Sequence, residues 1–389
     1  MPRPIRRQAL VTKPIVTDVA VIGAGLIGAG AALALRRAGF QVVLVDRDVA
    51  GAKASGVNFG GVRRQGRGLA QLPLAQRAHR IWPRLRELIG TDGEYVRSGH
   101  LKVARTTADL DALRAYKERT AAFDLGLEII EGREFRRRFP AFGPDIIGGS
   151  FCPEDGQANP RLVAPAYGHA AARAGARLLQ GGRVLGASAL GERFLIDIEG
   201  GTQVVADYVV NAAGSWGGEV AAWFGDRVPL VVKFPTMAVT EPLPPLVSVS
   251  IGVEGGGFYG RQVARGNVVM GGGFGDALPD DRSRPGRPAM DALARNAPQV
   301  LPALARAHII RFWSGREGYF ADKNPAVGFS PHAPRLLHAF GFSGAGFQIS
   351  PAVGEMLAEM IRGLPCPEYT NAFAVDRFAT APPATGDTA

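Results

Sequence analysis

Three glycines near the N-terminus have the spacing of a phosphate-binding turn. Gly23, Gly25 and Gly28 form the pattern G-x-G-x-x-G between an apolar run that ends at Ile22 and a second apolar run that ends at Asp46. The first glycine permits a tight turn, the second lets backbone amides approach a pyrophosphate, and the third lets the helix pack closely on the sheet. The order strand, turn, helix, strand and acid predicts a dinucleotide site with Asp46 on the ribose hydroxyls. An acid at this position argues against a 2′-phosphate and hence against NADP.

A second glycine turn precedes a helix near the C-terminus. The segment GFSGAGFQISP starts at Gly341, and a helix is predicted from this turn to about Ile361. Gly344 and Gly346 leave room for a ligand to approach the backbone, and the free N–H groups at a helix start favour an anionic group. Two glycine turns that each lead into a helix predict a ligand with two separated ends.

These turns need a sheet with helices on its faces to position them. Residues 208–216 (YVVNAAGSW) are predicted as a buried strand that runs into a further glycine turn, separate from a hairpin strand at 202–205. Residues 94–104 (EYVRSGHLKVA) are predicted as a strand pair, and residues 258–271 as a hairpin over Arg265-Gly266. The expected fold class is α/β, with a Rossmann-type domain interleaved with an α+β domain that carries an antiparallel sheet.

The composition excludes several classes of protein. The chain has 389 residues, of which 46% are hydrophobic, so it can bury a large core. Its net charge is +10, but the basic residues are scattered and are not interleaved with aromatic ones, so no nucleic-acid partner is expected. Charge, glycine or proline interrupts every apolar stretch before the roughly 18 residues of a membrane span, so no transmembrane segment is expected. The two cysteines, Cys152 and Cys366, match no metal site and no disulfide framework, which predicts a cytoplasmic location.

Five motifs follow one another between residues 17 and 378: GAGLIG, ASGVNFGGVRRQ, DGQANPRL, VVNAAGSW and GFSGAGFQISPAVG. With them the chain resembles the FAD-dependent amine and amino-acid oxidoreductases of the D-amino acid oxidase superfamily, especially the branch of glycine oxidase, sarcosine oxidase and the proline or opine dehydrogenase β-subunits. The resemblance implies oxidation of a C–N bond in a D-amino acid, N-alkyl amino acid or opine by hydride transfer to flavin N5, giving an imine that hydrolyses. It also implies an electron acceptor, which is oxygen, a quinone or a partner subunit.

The resemblance assigns residues to the two ends of FAD. The first glycine turn and the following acid hold the ADP half, the ASG loop contacts the pyrophosphate, and the backbone near Val184 faces the adenine. The AAG turn with Trp216 supports the cofactor from the other side, and amides of the last glycine loop point at the pyrimidine end of the isoalloxazine. The assigned residues are Gly23, Ala24, Gly25, Leu26, Ile27, Gly28, Asp46, Arg47, Ala54, Ser55, Gly56, Gly61, Val62, Val184, Ala213, Gly214, Trp216, Gly344, Ala345, Gly346, Phe347 and Gln348.

Three departures from the relatives carry further expectations. Relatives with covalent flavin have a cysteine in the segment that matches residues 315–322, which has none here, so FAD is expected to be non-covalent. The sarcosine oxidase branch places a lysine for the substrate carboxylate at Gln348, so another group must hold the carboxylate or the substrate class differs. The lysine linked to oxygen activation corresponds approximately to Val269, which favours a dehydrogenase.

Six residues are candidates for the substrate side: Arg63, Arg67, Tyr259, Arg261, Glu317 and Gln348. A guanidinium group matches a carboxylate with two hydrogen bonds, so the arginines are candidate carboxylate clamps, although a surface position remains open for each. Tyr259 lies on the hairpin expected to cover the flavin. Glu317 is a candidate partner for a substrate ammonium, with a structural ion pair as the alternative.

Two other functions remain open from the residues alone. A flavin-dependent 2-hydroxy-acid dehydrogenase would use a histidine base, and His100 and His332 are the best placed of the six histidines. Neither lies in a glycine-rich loop. The second alternative is a flavin-carrying subunit that is active only in a hetero-oligomer.

The expected domain layout is discontinuous along the chain. The FAD-binding domain is predicted at 17–95, 150–225 and 323–378, and the substrate domain at 96–149 and 226–322. Residues 1–16 are expected to form a flexible basic arm, and residues 379–389 a frayed tail.

Overall fold

The computed structural model describes residues 13–378. Residues 1–12 of the expected arm and the whole expected tail, 379–389, lie outside the described residues. The first strand begins at Ile15, so the last two residues assigned to the arm belong to a sheet instead.

A first sheet contains the N-terminal βαβ unit. Numbered along the chain, its strands are β1 (Ile15–Ile22), β2 (Val42–Asp46), β8 (Arg177–Gln180), β9 (Val184–Leu190), β10 (Arg193–Ile198), β11 (Thr202–Asn211), β21 (Ala326–Phe329) and β22 (Leu336–Phe340). The order is β21-β22-β11-β1-β2-β8, and the hairpin β9–β10 is attached to β11. The neighbours β22, β11, β1, β2 and β8 run parallel. Their carboxyl ends therefore meet at one edge, where ligands bind in such sheets.

A second sheet is mainly antiparallel. Its strands are β4 (His100–Ala104), β5 (Glu128–Glu131), β6 (Gly148–Cys152), β13 (Pro235–Pro242), β14 (Ser250–Val253), β15 (Tyr259–Gln262), β16 (Asn267–Phe274) and β19 (Ile309–Ser314). The order is β19-β13-β16-β15-β14-β4-β6-β5, with β14 and β4 parallel. Three strand pairs lie outside the two sheets: β3 (Gly61–Val62) with β7 (Gly156–Gln157), β12 (Val231–Lys233) with β20 (Glu317–Tyr319), and β17 (Asp276–Ala277) with β18 (Ser283–Arg284).

Helices cover both sheets. They are α1 (Leu26–Arg37), α2 (Ala54–Val57), α3 (Leu72–Ile81), α4 (Leu85–Ile89), α5 (Thr107–Arg119), α6 (Gly132–Arg138), α7 (Pro160–Arg173), α8 (Gly217–Ala222), α9 (Arg287–Val300) and α10 (Gly346–Ile361). Val19, Val21 and Leu44 of the first sheet pack with α1, α7 and α10 in the largest core. The intervening Ala20 and Val43 face a second core on the other side. This alternation explains why the strands are apolar throughout, since both faces are buried. No helix among residues 13–378 has the length and apolar character needed to cross a membrane.

The expected α/β fold class is confirmed, and two local predictions are wrong. β11 is one continuous strand from Thr202 to Asn211 because its first half pairs with β1 as well as with β10, so a pattern that suggested a hairpin edge is buried between neighbours. Residues 94–104 contain one strand, β4, and Val96 makes only an isolated bridge to Gln157. The hairpin over Arg265-Gly266 forms as expected, from β15 and β16.

Candidate active site

The two sheets enclose one large cavity of ≈ 1030 Å³. The carboxyl ends of β1, β2 and β11, the loop around α2 and the start of α10 form one side. Residues of β4, β14, β15 and β20 form the other side. This volume is at the upper end of the range for small-molecule sites, which is about 300–1,000 Å³. The cavity is therefore large enough for a cofactor together with a small substrate.

The first glycine turn has the geometry that its spacing predicts. Gly23 has φ +103°, and a Cβ there would lie 2.4 Å from the Ala212 carbonyl oxygen. A Cβ at Gly28 would lie 1.9 Å from the Gly23 carbonyl oxygen. Neither position accepts a side chain, so the turn brings backbone rather than side chains to the cavity. Such a cradle fits a pyrophosphate at the start of α1.

Asp46 lies at the end of β2 and lines the same cavity. Its Oδ2 accepts a hydrogen bond from the Ala24 amide at 2.6 Å, and its Oδ1 accepts one from the Asp48 amide at 2.9 Å. Burial raises the pKa of this carboxyl, and the two amide hydrogen bonds oppose the shift. A carboxylate oxygen accepts more than one hydrogen bond, so both oxygens keep capacity for ribose hydroxyls.

Most of the residues assigned to FAD line the cavity. They are Gly23, Gly25, Leu26, Ile27, Asp46, Arg47, Ala54, Ser55, Gly61, Val184, Ala213, Gly214, Trp216, Gly344, Ala345, Gly346 and Phe347. Ala24, Gly28, Gly56 and Val62 pack behind the lining and do not reach it. Gly56 supports the loop from behind, because a Cβ there would lie 2.3 Å from the Gly51 carbonyl oxygen.

Gln348 does not reach the cavity, although it was expected there both for FAD and for catalysis. Its side chain is fully buried, and its Nε2 donates to the Ala75 carbonyl of α3 at 2.9 Å. Its own carbonyl accepts a hydrogen bond from Trp82 Nε1. The α10 helix turns this position towards α3, so the side chain faces away from any ligand.

The three candidate arginines have two different environments. Arg63 and Arg67 line the cavity. Arg261 does not line it: its Nε donates to the Phe59 carbonyl at 2.7 Å, and its guanidinium stacks 5.7 Å from the Phe59 ring centre. Arg261 therefore holds the loop after α2, and the structure brings only two of the three arginines to the site.

Arg63 and Arg67 form no direct ion pair among residues 13–378, although the charge of Asp155 favours the charged form of both. Arg63 donates to the Gln65 carbonyl, and Arg67 Nε donates to the Arg63 carbonyl at 3.3 Å. Neither forms an ion pair with a carboxylate in the described part of the chain; the nearby Asp155 pairs with Arg64. Burial lowers the pKa of both arginines, that of Arg67 to about 9, with the charge of Arg63 as the next cause. The positive charge of this arginine pair favours the binding of an anionic group in the cavity.

Glu317 and Tyr259 also line the cavity. Glu317 accepts a hydrogen bond from Tyr319 Oη at 2.9 Å and has no cation within 4 Å among the described residues. Burial raises its pKa, opposed by the Tyr319 hydrogen bond. Tyr259 donates to Met237 Sδ at 3.2 Å and packs edge-on against Phe59. The site thus holds an unpaired carboxyl in addition to the unpaired arginines.

Sequence reasoning missed several lining residues, among them Lys233, Tyr319 and Phe274. Lys233 lies opposite Glu317 in the β12–β20 register and stands 5.2 Å from the Phe274 ring centre. A strand of two or three residues is too short to show an alternating apolar pattern. Only its pairing in the structure therefore reveals which side chains face the cavity. Val269 is not a lining residue, so its match to the oxygen-activating lysine of relatives gives no basis for choosing between oxidase and dehydrogenase.

His100 was named only in the hydroxy-acid alternative, yet it lines the cavity. It is buried, and its Nδ1 lies 2.8 Å from Gln65 Oε1. Burial, followed by the charges of Arg63 and Lys102, holds the pKa of this imidazole far below its ordinary value. His332 lies elsewhere, against Asp226. A neutral imidazole beside the arginines positions Gln65 and the loop that carries Arg63.

A family model and individual proteins match this chain. The model described as DAO, FAD dependent oxidoreductase, matches residues 18–360. A subunit of opine oxidase from Rhizobium meliloti is 28% identical over 82% of this chain and 86% of its own length. Glycine oxidase from Bacillus licheniformis is 27% identical over 92% of this chain and 97% of its own length. Among solved structures, glycine oxidase from Geobacillus kaustophilus superposes with a TM-score of 0.87 at 23% identity, covering 93% of this chain and 99% of that one.

Proposed function

Because the chain belongs to the DAO family of FAD-dependent oxidoreductases, we propose that it oxidises a C–N bond in a small carboxylate-bearing amine: a D-amino acid, an N-alkyl amino acid or an opine. The family establishes FAD as the cofactor, and when bound it would supply the acceptor for the hydride that leaves the α-carbon. The imine that results is hydrolysed by water. The protein's own task is to bind, orient and desolvate the amine.

The observation that carries this proposal is the pair Arg63 and Arg67. Two neighbouring guanidinium groups in one cavity, without a carboxylate partner, are costly because each is removed from water and repels the other. A substrate carboxylate supplies the missing charge and matches a guanidinium with two hydrogen bonds. We therefore assign these two arginines to the substrate carboxylate.

Glu317 supplies the opposite charge for the amine. It is a partly buried carboxyl whose only hydrogen-bond partner in the described chain is Tyr319. A substrate ammonium would pair with its free oxygen, and the ammonium proton would move to Glu317 so that the neutral amine reacts. A cavity with an arginine pair and an acid fits a zwitterionic ligand better than a hydroxy acid, which has no cation for Glu317.

We further propose that FAD is held without a covalent bond. Cys152 and Cys366 are both free, and neither lines the cavity. Cys152 Sγ instead lies against the Leu125 carbonyl in a separate core. Their free thiols also support the proposal of a reducing, cytoplasmic location.

The test of function is anaerobic bleaching of the bound flavin. The panel is D-amino acids, N-methyl amino acids, opines and 2-hydroxy acids, because bleaching reports reduction of FAD without assuming an acceptor. We expect bleaching by at least one amine that carries a carboxylate. Bleaching by hydroxy acids alone would establish the dehydrogenase alternative in its place.

Two substitutions test the assignment of Arg63 and Arg67 to the substrate carboxylate. Arg63→Met and Arg67→Met are each expected to cut kcat/KM by about 10²-fold or more, since a buried ionic hydrogen-bond pair contributes roughly 3 kcal/mol. The matched control is Arg261→Met, a buried arginine outside the cavity, which should leave the preference for an amino acid over its decarboxylated analogue intact. If that preference survives in both Arg63→Met and Arg67→Met, the carboxylate is held elsewhere.

A second candidate function is a flavin subunit of a larger enzyme. The relative from Rhizobium meliloti favours it, because its name describes one part of an opine oxidase assembly. The two candidates differ in one measurement. A partner-dependent subunit would turn over substrate with an acceptor only after a second polypeptide is added, whereas an independent enzyme would turn over alone.

A further inference from the structure

Two guanidinium groups stack on the Trp216 ring. The Cζ atoms of Arg47 and Arg316 are 4.1 Å and 4.7 Å from its ring centre. All three residues line the cavity, and Trp216 is buried. Arg47 directly follows Asp46 at the end of β2, whereas Arg316 directly precedes Glu317 of β20. The stack therefore lies on the cavity wall between the cofactor-binding acid and the substrate-binding acid.

One carboxylate joins the two arginines. Asp281 Oδ2 accepts from Arg47 Nη1 at 2.5 Å, and its Oδ1 lies 3.3 Å from Arg316 Nη1. Burial alone would raise the pKa of Asp281, but hydrogen bonds from Arg47 and Trp216 and the charges of both arginines hold it below its ordinary value. Two guanidinium groups on one ring repel each other. Asp281 compensates that repulsion and so stabilises the stack.

Asp281 belongs to a hairpin that has few other attachments. The hairpin joins β17 to β18, two strands of two residues each, and both residues of β17 are exposed. Asp280 and Asp281 have φ angles of 60° and 57°, in the left-handed region that side chains rarely adopt. A further hydrogen bond runs from Ser283 Oγ to the Ser314 carbonyl. The turn is thus bent towards Arg47 and Arg316: the Arg47 ion pair joins it to the end of β2 in the first sheet, and the Arg316 ion pair joins it to the segment before β20.

We propose that Asp281 is a latch that closes this hairpin over the Trp216 stack and retains FAD in the cavity. Opening requires only that two partly exposed ion pairs break, after which Arg47 and Arg316 repel each other and the wall beside the cofactor loosens. Asp281 is a positioning residue, since it acts on FAD through Trp216 and the two arginines. The latch is independent of which amine the enzyme oxidises.

The test compares FAD release from two holoenzyme variants. Asp281→Asn removes the charge and keeps the left-handed turn, because asparagine tolerates that conformation. Asp280→Asn is the matched control: its φ is nearly the same, but its side chain is 84% exposed and contacts only Arg282 at 3.9 Å. Release is followed by the fluorescence of free FAD after dilution. We expect Asp281→Asn to release FAD about 10-fold faster, as for loss of one charged hydrogen bond, and Asp280→Asn to match the wild type.

Salt and trypsin supply readouts that do not depend on activity. At about 1 M salt the screening length falls to roughly 3 Å, so release from the wild type should accelerate while Asp281→Asn changes little. In this hairpin the bond after Arg282 is open to trypsin, because proline follows Arg284 and Arg287. Cleavage of the holoenzyme at Arg282 should be faster in Asp281→Asn than in Asp280→Asn. Unchanged release from Asp281→Asn, equal acceleration in both variants, or faster release without faster cleavage would each overturn the latch.

Discussion

Arg63, Arg67 and Glu317 are charged side chains that form no ion pair with any residue from 13 to 378, whereas buried charges are normally paired. Nearby opposite charges do not pair with them directly: Asp155 pairs with Arg64, and Lys233, opposite Glu317 in the β12–β20 register, stacks on Phe274. Because an unpaired buried charge lowers the stability of the folded state, such charges are usually paired or replaced by uncharged side chains. Their presence in one cavity supports the proposal that the substrate carries both a carboxylate and an amine.

The acid limb of the pH profile should report on Glu317. Burial raises the pKa of this carboxyl, and only the ionised form pairs with a substrate ammonium, so kcat/KM should fall as the pH drops through that raised pKa. Glu317→Gln should abolish this limb and lower kcat/KM at neutral pH by about 10- to 100-fold, the value of a charged hydrogen bond. The measurement is kcat/KM from pH 5 to 9 with saturating acceptor.

Tyr319→Phe is the control for that profile. The Tyr319 hydrogen bond lowers the pKa of Glu317, so its removal should move the acid limb to higher pH without abolishing it. A limb that persists in Glu317→Gln would assign the ionisation to another group.

At the scale of elements, a buried polar network joins β11, β22 and the segment after α8. Asn211 Nδ2 donates to His338 Nδ1 at 3.1 Å, so the proton of this histidine is on Nε2, which donates to Asp226 Oδ2 at 2.9 Å. Asn211 also accepts a hydrogen bond from the Ala213 amide. The network thereby fixes the position of the AAG turn, and the position of Trp216 follows from that turn.

Asp226→Asn should destabilise the protein by about 2–3 kcal/mol at neutral pH, because it weakens a buried charged hydrogen bond. Burial alone would raise the pKa of Asp226, but hydrogen bonds from His338, Ser330 and His332 hold it below the ordinary value. A depressed carboxyl pKa contributes stability above the unfolded pKa of about 4 and loses it as the pH falls through the folded pKa. The difference between variant and wild type in urea unfolding should therefore be constant from pH 6 to 8 and shrink in acid.

His332→Ala is the matched control, since His332 contacts the same carboxylate but its side chain is 60% exposed. It should cost less than about 1 kcal/mol, as for other exposed polar contacts. A stability gap for Asp226→Asn that widens in acid would contradict the assigned pKa shift.

At the scale of the whole molecule, one cavity lies between two sheets, each with its own core. We therefore propose that elements from both sheets contact FAD, so that the bound cofactor would contribute to stability as well as to chemistry. A ligand that binds only the folded state stabilises it by about 4 kcal/mol at 1,000 times its dissociation constant.

The purified protein should release intact FAD on acid precipitation, and FAD added back to the apoprotein should raise Tm with increasing concentration. The physical reason is that no free cysteine of the described chain lines the cavity, so mass action alone retains the cofactor. The measurements are absorbance of the acid supernatant and thermal unfolding against FAD concentration. Flavin that stays with the precipitated protein would contradict the non-covalent proposal.

The sequence by itself determined the cofactor-binding part of this protein. The positive φ of Gly23, the contact of Gly28 with the Gly23 carbonyl, the strand before them and the acid at Asp46 are local features, because they depend on backbone conformation and on neighbours within one βαβ unit. The contact of Gly23 with the Ala212 carbonyl is not local, since Ala212 follows a strand distant in the chain. The family motifs extended this to FAD and to the α/β fold class.

Only the tertiary structure decided which polar side chains face the cavity. Gln348 and Arg261 lie on segments beside the site, yet their side chains hydrogen-bond to α3 and to the Phe59 loop. His100, on a strand that the sequence predicted, and Lys233, on a three-residue strand that it did not, both line the cavity. The contact of Asp281 with Arg47 joins residues 234 positions apart. Which face a side chain presents depends on packing partners that are distant in the chain, and such partners leave no trace in local spacing.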